Sequence, residues 1–150
     1  MNTEQITTIL TRIMGKKFYG VYPADMNFSA LLNDAKYPFG FVVNTDPMSK
    51  PGRHWQAIWC PNKNNIEYFD SFGDMPHKNL NNFLKKFKKI TKTHKKLQDK
   101  YEISCGPYVI YFLIKRGMGT PFHNIINSLS KIKLNDTYVK LYLVNIIDGF

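Results

Sequence analysis

Cys105 stands in the run Ile103-Ser104-Cys105-Gly106-Pro107-Tyr108-Val109-Ile110-Tyr111-Phe112-Leu113. Ser104 is a natural N-cap, Pro107 suits a first helical turn, and no breaker follows before Gly117. The pattern predicts Cys105 at the N-terminus of a buried helix, where free backbone N–H groups and the helix dipole favour a thiolate. Gly106 would let a substrate approach the backbone beside the sulfur. The plain alternative is an inert buried cysteine, the commoner fate of this residue.

Three upstream residues supply what a cysteine nucleophile needs. An imidazole that holds the thiol proton could come from His54. The ring must be anchored through its other nitrogen, which Asp70 could do. An oxyanion needs donors, and the Gln98 side-chain amide with the Cys105 backbone N–H would serve. Singly each assignment is weak: His54 could be a strand-end histidine, Asp70 a turn former, Gln98 a surface residue. Cys60 is the rival thiol, but it ends a predicted strand before Pro61 and reads as structural. Two cysteines and four scattered histidines show no metal-ligand spacing, so neither a metal nor an organic cofactor is expected.

These residues must be brought together by the elements that carry them. Thr3 to Met14 reads as an amphipathic helix, with Ile6, Ile9, Leu10 and Ile13 at helical spacing and Gly15 as its stop. Phe18 to Tyr22 and Phe39 to Asn44 read as strands, Phe28 to Leu32 as a short helix, and Thr45 to Arg53 as a polar loop. His54 to Cys60 and Ile66 to Asp70 form a hairpin signal around Pro61-Asn62-Lys63-Asn64-Asn65, which returns Asp70 to the open end where His54 starts. Asn79 to Ile90 reads as a helix and Ile90 to Leu97 as a short strand, with Asp99 to Glu102 linking to the cysteine helix. Two more helices are expected at Pro121 to Ile132 and Thr137 to Ile147. The order predicts an α+β fold over residues 1–150 as one domain: a small mixed β-sheet flanked by helices, with the nucleophile on a central helix.

The bulk properties bound the setting. A chain of 150 residues with 43% hydrophobic and 15% aromatic content is globular. The polar start Met1-Asn2-Thr3-Glu4-Gln5 is no signal peptide, and no apolar run reaches transmembrane length, so a membrane partner and secretion are not expected. Net charge is +10, concentrated between Met75 and Gln98, where eight lysines occur without an acid. Lys85, Lys86, Lys88, Lys89, Lys92, Lys95 and Lys96 are the candidate nucleic-acid contacts in this stretch, against the plainer reading of a solvated helix face.

Gly52-Arg53-His54-Trp55, Tyr68-Phe69-Asp70-Ser71-Phe72-Gly73, Gln98 and Ser104-Cys105-Gly106-Pro107, in that order, resemble the adenovirus maturation proteases (adenains), within the wider clan of Ulp1-like cysteine proteases. The resemblance runs from the opening helix to the end of the cysteine helix. It implies Cys105 as nucleophile, His54 as general base and acid, Asp70 as third member and Gln98 at the oxyanion. It also implies Trp55 and Gly106 beside a narrow cleft for substrates with small residues, often glycine, before the scissile bond. The activity implied is cleavage of viral capsid or structural precursors during maturation, in the virion and in the nucleus or cytoplasmic factory of the infected cell. The sequence departs from adenain in three ways. Asp70 stands where adenain has Glu, and the chain is shorter, so that reduced C-terminal helices are expected. No cysteine lies between Asp70 and Cys105, Phe87 being nearest the equivalent separation, which argues against a disulfide-linked activating peptide. Stimulation by viral DNA stays open through the lysine stretch, and a monomer is the favoured state. The rival readings are an isopeptidase acting on ubiquitin or SUMO-type modifiers, an acyltransferase, and a non-catalytic basic protein that binds or packages DNA.

Overall fold

The computed structural model describes residues 1–45, 54–99 and 104–149. Helix α1 (Thr3–Met14) opens the chain, capped by Asn2 and Gln5, each side chain bonding the other's backbone N–H. Strands β1 (Phe18–Tyr22) and β2 (Phe39–Asn44) follow, separated by a 3₁₀ turn at Phe28–Leu32. Strands β3 (Trp55–Asn62) and β4 (Asn65–Phe69) make the expected hairpin, and helix α2 (Lys78–Leu84) leads to β5 (Lys89–Lys92). Helices α3 (Cys105–Gly117), α4 (Phe122–Lys131) and α5 (Asn135–Asp148) complete the fold. The polar loop expected over 45–53 lies beyond Thr45 outside the described residues, and with it Gly52 and Arg53; so do residues 100–102 of the link before the cysteine helix.

The five strands form one mixed sheet in the order β1-β2-β3-β4-β5, parallel at the two outer pairs and antiparallel between β2, β3 and β4. Its residues alternate between two apolar compartments. Trp55, Ala57 and Trp59 of β3 face the side packed by α1, α3, α4 and α5, whereas Ile58 and Cys60 face the side covered by α2 and the 3₁₀ turn. Burial on both faces explains why Phe39–Val43 reads as an unbroken apolar run rather than an alternating one. This is the α+β architecture that the element order predicts.

Helix α3 crosses the first face and is buried from Cys105 through Ile114. Its far end is tied to the sheet by Arg116, whose guanidinium donates to both Glu67 carboxylate oxygens at 2.7 and 2.9 Å and lies 5.6 Å from the Trp59 ring. Gly40 of β2 lies under α3 with no room for a side chain. A Cβ there would lie 2.8 Å from Leu113 Cδ2, 2.9 Å from Trp59 Cε3 and 3.0 Å from the Ile58 carbonyl. Gly40→Ala is therefore expected to destabilise the fold by about 1–3 kcal/mol through overpacking, read as a lower urea midpoint.

Two boundaries differ from the sequence reading. The helix expected to run to Ile90 stops at Leu84, and the strand expected over Ile90–Leu97 is Lys89–Lys92. Parallel pairing of Asn65–Tyr68 with Lys89–Lys92 requires extended backbone there, and tertiary pairing overrides helical patterning. The last two helices shift by one to two residues, to Phe122–Lys131 and Asn135–Asp148. Among the described residues no helix is long and apolar enough to cross a membrane.

Candidate active site

His54 enters immediately before β3, Asp70 leaves immediately after β4, and Cys105 is the first residue of α3. The packing of α3 on the sheet brings all three together. His54 Nε2 lies 3.0 Å from Asp70 Oδ2, and the imidazole and the Cys105 thiol are close enough for each to shift the other's pKa. Because Nε2 faces Asp70, Nδ1 is the nitrogen left for the sulfur. The Phe72 ring stands 4.9 Å from the imidazole, centre to centre.

The electrostatics follow from burial set against these bonds. Burial disfavours charge on His54, yet the hydrogen bonds and fields of Asp70 and Cys105 prevail and raise its pKa to about 9. Burial pushes the Cys105 thiol up, but the His54 hydrogen bond, the backbone N–H groups of Trp55 and Gly106, and the imidazole charge bring it below its ordinary value. Asp70 is likewise held low, its burial outweighed by His54, Gln56 and the Phe72 N–H. All three shifts favour a thiolate–imidazolium pair anchored by a carboxylate.

Asp70 is fully buried and held by more groups than the sequence reading named. Oδ1 accepts from the Phe72 N–H at 2.7 Å; Oδ2 accepts from Gln56 Nε2 at 2.7 Å and from Tyr68 Oη at 3.3 Å. The hairpin register explains Gln56. Pairing Ala57 with Phe69 places Gln56, not His54, across from Asp70, and His54 reaches the carboxylate along the diagonal. The other end of that amide, Gln56 Oε1, is buried without a hydrogen-bond partner among the described residues. Leaving such an acceptor unpaired costs about 1–3 kcal/mol. Counting outward from a two-residue turn at Lys63-Asn64 would have put Ala57 there instead; a register shift between Trp59 and Asn62 moves the pairing by one residue.

Gln98 is buried in the segment after β5. Its backbone N–H donates to the Ser71 carbonyl at 2.8 Å, and its Oε1 accepts from Ser71 Oγ at 2.5 Å. With Oε1 turned to Ser71, the other end of the amide carries the NH₂ donor. Ser71, the neighbour of Asp70, is thus a further residue the sequence reading did not single out. A groove of about 650 Å³ runs from Lys96, Gln98 and Asp99 to Ser130, Lys133 and Asp136; a second cavity of about 370 Å³ lies against His54, Asp70 and Phe72.

The two candidate cleft residues sit under Met1. Trp55 Nε1 donates to the Met1 carbonyl at 3.3 Å, and a Cβ at Gly106 would lie 3.0 Å from Met1 Sδ. The room that Gly106 was expected to leave for a substrate is filled here by the Met1 side chain. Cys60, by contrast, is wholly buried in the other compartment, with its thiol pKa pushed far up by burial and by Glu67. Of the candidate nucleic-acid contacts, Lys85, Lys86 and Lys88 are exposed between α2 and β5, Lys89 is exposed at the start of the edge strand β5, and Lys95 and Lys96 are exposed after it, while Lys92 in β5 is partly buried and bonds Asn81. Lysines on an edge strand also block edge-to-edge pairing. Among the described residues no cluster suits a metal ion.

No family model matches the chain. In sequence it is 31% identical over 142 residues to a protein of Acanthamoeba polyphaga mimivirus named as a thiol protease, spanning 79% of this chain and 47% of that protein. It is 33% identical over 91 residues to a cysteine protease of African swine fever virus, spanning 52% of this chain and 33% of that enzyme. A protease of bovine adenovirus 2 is 33% identical over 76 residues, half of this chain and 37% of that protein. The chain therefore spans less than half the length of these relatives. In structure, the crystal structure of the African swine fever virus protease pS273R superposes with a TM-score of 0.69 at 20% identity, covering 92% of this chain and 63% of that one. In sequence the chain is similar to viral cysteine proteases, and its fold is that of the African swine fever virus protease, an adenain-type, Ulp1-like fold.

Proposed function

We propose that this chain is a viral cysteine endopeptidase that cleaves capsid or structural precursors after small, glycine-rich residues, in the virion or infected cell. The observation that carries the reading is His54, held by Asp70 through one ring nitrogen and placed where it lowers the Cys105 thiol pKa. The Cys105 thiolate attacks the scissile carbonyl, while Gln98 and the Cys105 N–H face the oxyanion. The His54 imidazolium gives its proton to the departing amine. His54 then takes a proton from water, which attacks the thioester and restores the thiol.

The test is labelling with a thiol-reactive peptide ending in Gly-Gly, with the adduct mapped by mass spectrometry. One rapid adduct at Cys105, with Cys60 untouched and cleavage of precursor peptides after glycine, is expected. Equal, slow modification of both cysteines would overturn the reading in favour of a basic DNA-binding protein. A second reading, an isopeptidase for ubiquitin-like modifiers, is favoured by one observation: African swine fever virus relatives carry the name SUMO-1 cysteine protease. Faster release of a modifier fusion than cleavage of a precursor peptide would select it. On either reading the exposed lysines from Lys85 to Lys96 are where viral DNA would dock, by phosphate contacts that weaken steeply with salt.

A further inference from the structure

Helix α3 begins without the cap its sequence offers. Ser104 occupies the N-cap position, yet its side chain makes no capping bond, and its backbone is at ψ 9°. Asn2, which does cap α1, is at ψ 173°, the extended geometry that turns a side-chain oxygen back onto the first turn. The Ser104 hydroxyl is directed elsewhere. It donates to Asp136 Oδ1 at 2.6 Å, and Asp136 Oδ2 accepts from the Asp99 N–H at 3.3 Å. One carboxylate, in the first turn of α5, therefore grips both flanks of the segment between Gln98 and Cys105.

The first turn of α3 has few donors to spare. An N-cap oxygen bonds the N–H of the second or third helical residue, here Gly106 or Pro107, and proline has none. The Tyr108 N–H is already committed to the Ser104 carbonyl at 3.0 Å. A conventional serine cap would thus consume the Gly106 N–H, a donor beside Cys105 that helps hold its thiol below the ordinary pKa.

We infer that Asp136 is a positioning residue for the cysteine protease reaction proposed above: it draws the Ser104 hydroxyl out of the capping position, reserves the Gly106 N–H for sulfur, and fixes Gln98 relative to Cys105. Asp136 acts through Ser104 and Asp99 and touches no reacting atom. Its helix is held in place by packing on α3, with Val139 and Leu143 buried and the Tyr111 ring set edge-on against Tyr138 and Tyr142.

The test is the rate of iodoacetamide alkylation at Cys105 against pH, mapped by mass spectrometry, alongside kcat and KM. In Asp136→Ala the freed serine hydroxyl can cap, so alkylation near pH 6 is expected to fall roughly 10- to 100-fold, the range for losing one hydrogen bond to a charged group. The value of kcat should fall with little change in KM. Adding Ser104→Ala removes the competing hydroxyl, and the double variant should recover most of the alkylation rate lost in Asp136→Ala. A purely structural role would give a double variant no better than the single one, and that result, or an Asp136→Ala profile equal to wild type, overturns the inference. If circular dichroism shows that Asp136→Ala does not fold, Asp136→Asn, of equal size but with one acceptor oxygen, carries the same comparison with Ser104→Ala. An ordinary, non-acidic thiol profile in the wild-type protein would instead overturn the protease reading itself.

Discussion

Replacing His54 by alanine should lower kcat/KM for peptide cleavage by about 10²–10⁴-fold, the usual contribution of a positioned general base. The larger end is expected, because His54 serves the site twice. On the proposed mechanism it keeps Cys105 as a thiolate and later protonates the departing amine. The loss should appear at neutral pH in the alkylation rate as well, since without the imidazole the burial of Cys105 is left to push its pKa up. The wild-type pH profile has a defined sign at each end. On the acid side activity appears as Cys105 loses its proton, below the ordinary thiol range. On the alkaline side it falls as the imidazolium is lost, near the His54 pKa of about 9. A profile rising monotonically through pH 9 would contradict the thiolate–imidazolium pair.

Asp70→Asn should be nearly as severe, up to about 10⁴-fold in kcat, the loss seen when an asparagine inverts the histidine tautomer in a serine triad. The geometry here adds a second cost. Asp70 Oδ2 accepts from His54, Gln56 and Tyr68, and Oδ1 accepts from the Phe72 N–H. An amide must place its NH₂ among one of these sets of donors, whichever way it is turned. Stability should respond too. The folded-state pKa of Asp70 is depressed, so its ionised form contributes stability above the unfolded carboxylate range, and that contribution is lost as pH falls through the folded value. The asparagine variant should lack this part of the acid dependence, a difference that urea titrations at pH 7 and pH 3 would show.

Much of this arrangement was legible in the chain because it rests on local signals. Ser104-Cys105-Gly106-Pro107 before an apolar run announces a helix start, and two apolar arms around Lys63-Asn64 announce a hairpin whose open end carries His54 and Asp70. What escaped has no local signature. Gln56 faces Asp70 only because the pairing slips by one residue between Trp59 and Asn62, an irregularity that the turn length does not encode. Asp136 and Met1 reach the site through the packing of α5 and α1 on α3, which no spacing in the sequence encodes. The overlong helix reading of Asn79–Ile90 failed because Lys85–Lys88 contains no glycine or proline to mark a stop. There the pairing partner Asn65–Tyr68 decides the backbone.

The sheet separates two apolar interiors, and each holds one free thiol: Cys105 beneath α1, α3 and α5, Cys60 beneath α2. The protein thereby carries a built-in pair of clocks for its own breathing. Modification of Cys60 requires the α2 compartment to open, whereas on the proposed mechanism Cys105 reacts in the native state, so their relative rates would separate subglobal opening on one side from the chemistry on the other. Under mild denaturant, the concentration at which Cys60 begins to react would give the opening free energy of that half of the molecule, with no label added.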